Sequence, residues 1–284
     1  MNRKSRSYWL FLLPSLVGVL MFYAIPFVFS LYYALIDNMG SNQFVGLANF
    51  ADTLANSLFR QAATNTVIFV GISVLLSMTI ALLLSLGLQR MRRGRVLATT
   101  LLLLPLVVPS GTIVYFWKVL FDANGLVQEW LLRLGYEGVG VAQSGWSMGV
   151  LVAVFLWKNV SYNMVLFWSG LNWIPKAYYE QMSLEGAGGW YQFWHVTWIY
   201  LYPTTFVVLL MSIVNSFKVF KEVYMLYGAY PSPDVYMLQH YMNNQFLALN
   251  MQKLTSAAYI MFLVIGVILL LVFYVQKRVT DAFQ

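Results

Sequence analysis

The chain has 284 residues, 60% of them hydrophobic and 10% charged, with a mean hydropathy of +0.68 and a formal net charge of +7. Soluble domains carry about 25% charged residues, so this composition specifies a membrane protein. The lack of any cysteine excludes a disulfide framework, a thiolate metal site and a thiol nucleophile.

Six apolar runs are long enough to cross a bilayer core, which takes about 20 helical residues each. The first, Tyr8 to Ile36, follows Arg3, Lys4 and Arg6 as the apolar core of a secretory signal follows its basic start. It is far longer than the roughly 7–15 residues of such a core and contains Pro14 and Pro26, so it reads as a retained helix. An outer loop, Asp37 to Thr64, leads to Asn65–Leu88, and Val96–Leu120 follows with Pro105 and Pro109 inside it. A proline removes a backbone donor and crowds the preceding turn, so the first and third helices are expected to kink. A second outer segment, Phe121 to Gly145, precedes Trp146–Leu171, and the last two runs are Leu201–Tyr224 and Thr255–Val275. Lipid offers no partner for a free backbone N–H or C=O, and the runs do not alternate as barrel strands would. The expected fold is an all-α integral membrane bundle of six transmembrane helices in a single domain over residues 1–284.

The cations set the expected orientation. Arg3, Lys4 and Arg6, then Arg90, Arg92, Arg93 and Arg95, then Lys176, then Lys277 and Arg278 all fall on one face of this topology. The short loops make the positive-inside rule applicable, which places both termini in the cytoplasm. The same rule, with anionic headgroups, accounts for the positive charge without a nucleic-acid partner.

Between the fourth and fifth runs lies a cytoplasmic segment, Asn172 to Tyr200, that contains "YYEQMSLEGAGGWYQFWHV". Pro175 stops the fourth helix, and Ala177 to Leu184 forms a short helix ended by Gly186 and Gly188. A second helical stretch, Trp190 to Tyr202, leads to Pro203 and the fifth span. Trp190, Trp194 and Trp198, spaced by four, suit an interfacial anchor.

Polar residues inside membrane runs point to a solute path. Asn159, Tyr162 and Asn163 share a helix face, as do Ser212, Asn215 and Ser216. Their amides and hydroxyls can hydrogen-bond sugar hydroxyls, and Tyr162 can stack on the apolar face of a sugar ring; interhelical hydrogen bonding is the competing use of such groups. Lys158, Lys218, Lys221 and Glu222 are charges near or within the runs, free to pair, to snorkel or to meet an anionic solute. Nothing marks an enzyme: His195 and His240 are lone, no metal-ligand set or catalytic constellation occurs, and the Asn159-Val160-Ser161 sequon lies inside a helix. The run "GVGVAQSG" lacks phosphate-loop spacing, so this chain holds no ATP, magnesium or other cofactor itself. A secondary transporter or channel for a small polar solute is the alternative class. It would need mid-membrane acidic groups or an inverted repeat, and neither is visible.

The polar segment from Tyr179 to Ala187 resembles the coupling loop of permease subunits in bacterial ATP-driven importers, whose pattern is Glu-Ala-Ala, three residues, then Gly. The resemblance runs along nearly the whole chain. "YWLFLLPSL" and "IPFVFSLYYAL", "FVGLANF", "NTVIF", "LLPLVVPSGTIVYFWKVLFDANGLV", "WSGLNWIPKAYYE" and "SFKVFKEVYMLYGAYPSPDVY" are similar, in order, to successive segments of carbohydrate-importer permeases. The motif departs at Gln181 and Met182, where alanines are usual, at Glu185 for Asp, and at Ile199, with Pro203 four residues on. The outer Gly-Gly-Pro is here Ala229-Tyr230-Pro231.

The resemblance implies a type I ABC importer permease of the MetI-like kind in a bacterial inner membrane, with a cytoplasmic coupling helix. It implies that Glu180, Gln181, Met182, Glu185, Gly186 and Ala187 meet a separate ATPase. The partners so implied are a second homologous permease, two ATP-binding subunits that hold ATP and magnesium, and an extracytoplasmic solute-binding protein. The cargo would be a mono- or oligosaccharide, and membrane lipid would surround the whole.

Overall fold

The computed structural model describes residues 12–37, 41–121, 124–135 and 145–283. Arg3, Lys4, Arg6, the start of the first run and the "GVGVAQSG" stretch up to residue 144 lie outside them. The described residues are helical apart from turns and one antiparallel bridge between Ile36 and Phe44.

Among the described residues, five helices are long and apolar enough to cross a membrane, six where the bent pair Arg95–Val107 and Gly111–Arg133 counts as one span. In chain order the elements are α1 (Leu12–Leu35), α2 (Ala48–Ala55), α3 (Ser57–Arg90), α4 (Arg95–Val107), α5 (Ser110–Phe121), α6 (Leu126–Arg133), α7 (Ser147–Asn172), α8 (Lys176–Leu184), α9 (Trp198–Phe217), α10 (Phe220–Tyr227), α11 (Leu238–Leu247) and α12 (Met251–Phe283). The second and sixth spans outrun their apolar runs at both ends.

The prolines act as expected in kind but not in degree. Pro26 cannot donate to the carbonyl four residues back, and α1 absorbs this with a π-turn, Leu20–Ala24, in which Ile25 N–H reaches the Leu20 carbonyl. In the third span the helix does not kink; it stops. Val108 takes φ −74° and ψ 130°, the extended geometry a following proline imposes. The chain then turns by 97° between Arg95–Val107 and Gly111–Arg133.

The chain forms two compact units. One comprises Met1–Arg60 and Tyr241–Val267. In it Phe27 packs on Tyr259 and Phe262 with ring centroids 4.8 and 5.1 Å apart, and the Tyr259 hydroxyl donates to the Phe27 carbonyl. The Asn49 amide closes the end of α1 by donating to the Ala34 and Ile36 carbonyls at 3.0 and 2.8 Å.

The other unit, Gln61–His240 with Ile268–Gln284, contains α7 as its most enclosed span. A core of Ala81, Leu88, Val160, Met164, Phe167, Leu171, Val196, Leu201 and Val208 joins α3, α7 and α9. Buried amide and hydroxyl groups tie the same three helices: Asn163 Nδ2 donates to Ser212 Oγ at 2.8 Å and lies 3.4 Å from Ser77 Oγ. Helices α7 and α9 approach so closely at Gly170 that a Cβ there would lie 2.5 Å from Thr204 Oγ1 and 3.0 Å from Leu201 Cδ2.

His240, at the start of α11, is fully buried against Phe220 and Tyr236, and neither ring nitrogen has a hydrogen-bond partner among the described residues. Burial lowers its pKa to about 4; the Gly228 carbonyl opposes that shift without reaching hydrogen-bond geometry.

Two outcomes follow. Gly170→Val should lower the thermal unfolding temperature of the detergent-purified chain, by an overpacking cost of about 1–3 kcal/mol; an unchanged melt would contradict the close approach. Because the folded pKa of His240 lies below its ordinary 6.5, its contribution is intact above that value and declines as pH falls from 6.5 towards 4. His240→Phe should flatten the acid limb of a plot of melting temperature against pH over that window.

Candidate functional site

Two places in the larger unit gather the polar residues singled out in the sequence. The first is the hairpin after α7. Pro175, extended at φ −61° and ψ 131°, starts α8, and Gly186, at φ +80°, ends it. The Ala187 N–H reaches the Met182 carbonyl at 2.9 Å and the Gly186 N–H the Ser183 carbonyl at 3.1 Å, the paired closure that requires a left-handed residue between them. Gln192 then staples the return strand of chain, donating from Nε2 to Ser183 Oγ at 3.0 Å and to the Ala187 carbonyl at 2.9 Å. Tyr179 Oη lies 2.9 Å from Thr197 Oγ1.

These bonds fix which edge of α8 is free. Tyr179 and Met182 turn towards the core formed by Leu88, Leu171, Ile174 and Val196. Glu180, Gln181, Glu185 and Gly186 are exposed on the opposite edge, and Ala187 is half-buried. Between the glutamates stands Leu184, 90% exposed. Sequence reading passed over Leu184 as a helix former; its i+4 spacing from Glu180, on the face opposite Tyr179 and Met182, was the available signal.

The return is not a separate helix ending at Tyr202. A short turn, Gly189–Gln192, and a π-turn, Phe193–Thr197, run directly into α9 through Pro203. Trp190, Trp194 and Trp198 form a ladder along it, with successive ring centroids 5.7 Å apart. His195 stacks on Tyr191 at 3.8 Å and holds no metal set; none occurs among the described residues.

The second place is a cavity of about 360 Å³ between α7 and the α9–α10 break. Asn159, Tyr162 and Asn215 line it, with an apolar wall that includes Leu106, Phe155 and Met211. Asn163, Ser212 and Ser216 do not: all three are buried, Asn163 bonded to Ser212 and Ser216 Oγ to the Ile213 carbonyl at 2.7 Å. Of the six sequence candidates, three therefore face the cavity and three bond within the protein. Met211, which sequence reading missed, falls on the same helical spacing as Asn215, Lys218 and Glu222, the four recurring at four, three and four residues.

Charge enters the cavity through Lys158, Lys218 and Glu222. Lys158 Nζ lies 2.8 Å from Glu222 Oε1, and the Glu222 side chain is 9% exposed. Asn159 spends one amide hydrogen on the Phe155 carbonyl at 2.9 Å. Tyr162 and Asn215 line the cavity and make no side-chain hydrogen bond among the described residues.

A family described as "Binding-protein-dependent transport system inner membrane component" matches residues 73–282. The sn-glycerol-3-phosphate transport system permease protein UgpA of Agrobacterium fabrum is 32% identical over 280 residues, covering 95% of each chain. A crystal structure of a bacterial ABC transporter involved in the import of the acidic polysaccharide alginate superposes with a TM-score of 0.85 at 21% identity, covering 98% of this chain and 97% of that one. The bacterial alginate ABC transporter in complex with an alginate pentasaccharide-bound periplasmic protein gives 0.84, also at 21% identity, over 98% and 96%.

The Lys158–Glu222 pair carries a direct test. Glu222→Leu alone leaves an ammonium without its buried carboxylate and should cost about 3 kcal/mol, read as lost melting temperature and lost yield in detergent. Lys158→Met together with Glu222→Leu should recover most of that loss; equal damage from the single and double variants would contradict the pairing.

Proposed function

We infer that this chain, which belongs to the family of binding-protein-dependent transport system inner membrane components, is the permease that carries a polyhydroxylated solute, a mono- or oligosaccharide or a related polyol, across a bacterial inner membrane. The solutes named for its relatives, sn-glycerol-3-phosphate and alginate, share hydroxyl groups and negative charge. The hydroxyls are the part that Tyr162, Asn159 and Asn215 answer, by hydrogen bonds and by stacking on the tyrosine ring.

The observation that carries the reading is the free edge of α8. Glu180, Gln181, Leu184 and Glu185 present a leucine between carboxylates and an amide, on a helix whose other edge is fixed to the membrane bundle. Full cover of Leu184 by a partner contributes about 2 kcal/mol, and the carboxylates select a cationic rim around it. We take that partner to be an ATP-binding subunit, one of two, beside a second permease and an extracytoplasmic binding protein that delivers the cargo. The basic clusters Arg90–Arg95 and Lys277–Arg278 support a cytoplasmic side for this edge and for both termini.

In this mechanism the ATPase pulls on α8, and the Tyr179–Thr197 and Gln192 bonds pass the displacement to α9, which carries Met211 and Asn215 into the cavity wall. Gly186 supplies the left-handed turn that keeps the hairpin tight.

Glu180→Ala with Leu184→Asp should reduce ATP-driven uptake by the reconstituted complex about tenfold or more and weaken co-purification of the ATPase. The melting temperature of the isolated chain should not change, because neither side chain packs within it. Unchanged uptake and co-purification would refute docking at this edge.

A further inference from the structure

The cavity contains two ammonium groups and one carboxylate, and their placement separates their roles. The Lys158 charge is met by Glu222 at 2.8 Å. Lys218 also lines the cavity, and no carboxylate among the described residues lies within ion-pair distance of it. The site therefore carries one net positive charge, located at Lys218.

The backbone keeps that charge in place. Lys218 follows the last residue of α9, its N–H bonded to the Asn215 carbonyl at 3.1 Å, where the helix presents its negative end. A cation there is favoured over an isolated charge in a membrane interior, and the two-residue break at Lys218 and Val219 separates α9 from α10 beside the cavity. Phe220 follows the break and then comes Lys221, which is exposed like Lys218 but does not line the cavity.

We propose that Lys218 is a specificity-determining residue that selects cargo bearing an anionic group, a phosphate or a carboxylate, alongside hydroxyls. This rests on the transport-site reading given above. In it, Tyr162 and Asn215 engage the hydroxylated part of the solute, whether charged or not, and Lys218 adds a charge-assisted hydrogen bond only to the anion. A neutral sugar offers no counter-charge to the Lys218 ammonium, which is exposed where it lines the cavity, so the cavity favours a solute that brings one.

The test is equilibrium binding to the complete complex in nanodiscs, without binding protein or nucleotide. Three labelled probes are used: sn-glycerol 3-phosphate, D-glucuronate and glucose. At least one charged probe should bind about tenfold or more tightly than glucose, and the phosphate and carboxylate arms show which anion the geometry favours. Lys218→Gln should weaken that charged probe by about 10- to 100-fold, the range for a charge-assisted hydrogen bond, and leave glucose unchanged. Lys221→Gln, which removes the same charge from the same segment outside the cavity, should leave all three unchanged. Equal binding of charged and neutral probes, or a charge preference that survives Lys218→Gln, overturns the proposal. The transport-site reading fails separately: it falls if Tyr162→Ala and Asn215→Ala leave both probe binding and uptake intact, and the proposal then falls with it.

Discussion

The constraint on which this structure depends is that lipid satisfies no backbone hydrogen bond. A helix meets the demand internally, and a departure from helix must find its own partners or line a cavity. The departures here obey that rule. The π-turn before Pro26 and the π-turn Phe193–Thr197 keep the chain bonded through a wider register. The break at Lys218–Val219, where no proline forces a stop, lies on the wall of the cavity. A helix interrupted without a proline, with a lysine and two asparagine-bearing turns beside it, is sequence expenditure on a site rather than on a span.

The same constraint explains how far the sequence could be read. Apolar length identifies a crossing helix because length in lipid has one use, so the described part of each of the six runs is helical within its ends, save the breaks at Val108 and Pro109 in the third and at Lys218 and Val219 in the fifth. Local steric effects were legible in sign and not in size. Pro109 biases Val108 towards extended backbone, yet Ile25 before Pro26 stays helical, so whether a helix runs on or turns by 97° at a proline depends on the contacts around it. The continuous passage from Gly189 into α9 was hidden by Pro203, which reads as a start signal. It sits instead within the second turn of a helix whose preceding π-turn already shifts the bonding register.

The polar stripes show the same division at finer scale. Residues at i, i+3 and i+4 span roughly a 100° arc, wide enough to meet two environments at once. Asn159 and Tyr162 therefore face the cavity while Asn163, one residue on, turns inward to Ser212. On α9, Asn215 faces the cavity between two buried serines. Composition supplies the candidates; only packing decides which amide meets a solute and which meets a neighbouring helix. Met182 makes the point on α8, where it lies within the motif that implied an ATPase contact and is turned to the bundle core.

What joins the two places is the uninterrupted helical run from Gly189 to the end of α9. At 1.5 Å per residue it is about 40 Å long, the scale of a bilayer. Its near end is bonded to α8 by Gln192 and Thr197, and its far end positions Asn215 and Lys218. A rigid element of that length cannot be displaced at one end and remain at rest at the other unless it bends, and the weak points along it, the π-turn and Pro203, both lie in the half nearer the hairpin. Force applied to the α8 edge is thus either absorbed within the first turns or delivered to the cavity. The Tyr179–Thr197 bond spans those turns and favours delivery. Motor docking and solute binding can therefore be coupled through one helix and a few hydrogen bonds, with no contiguous chain of side chains across the membrane.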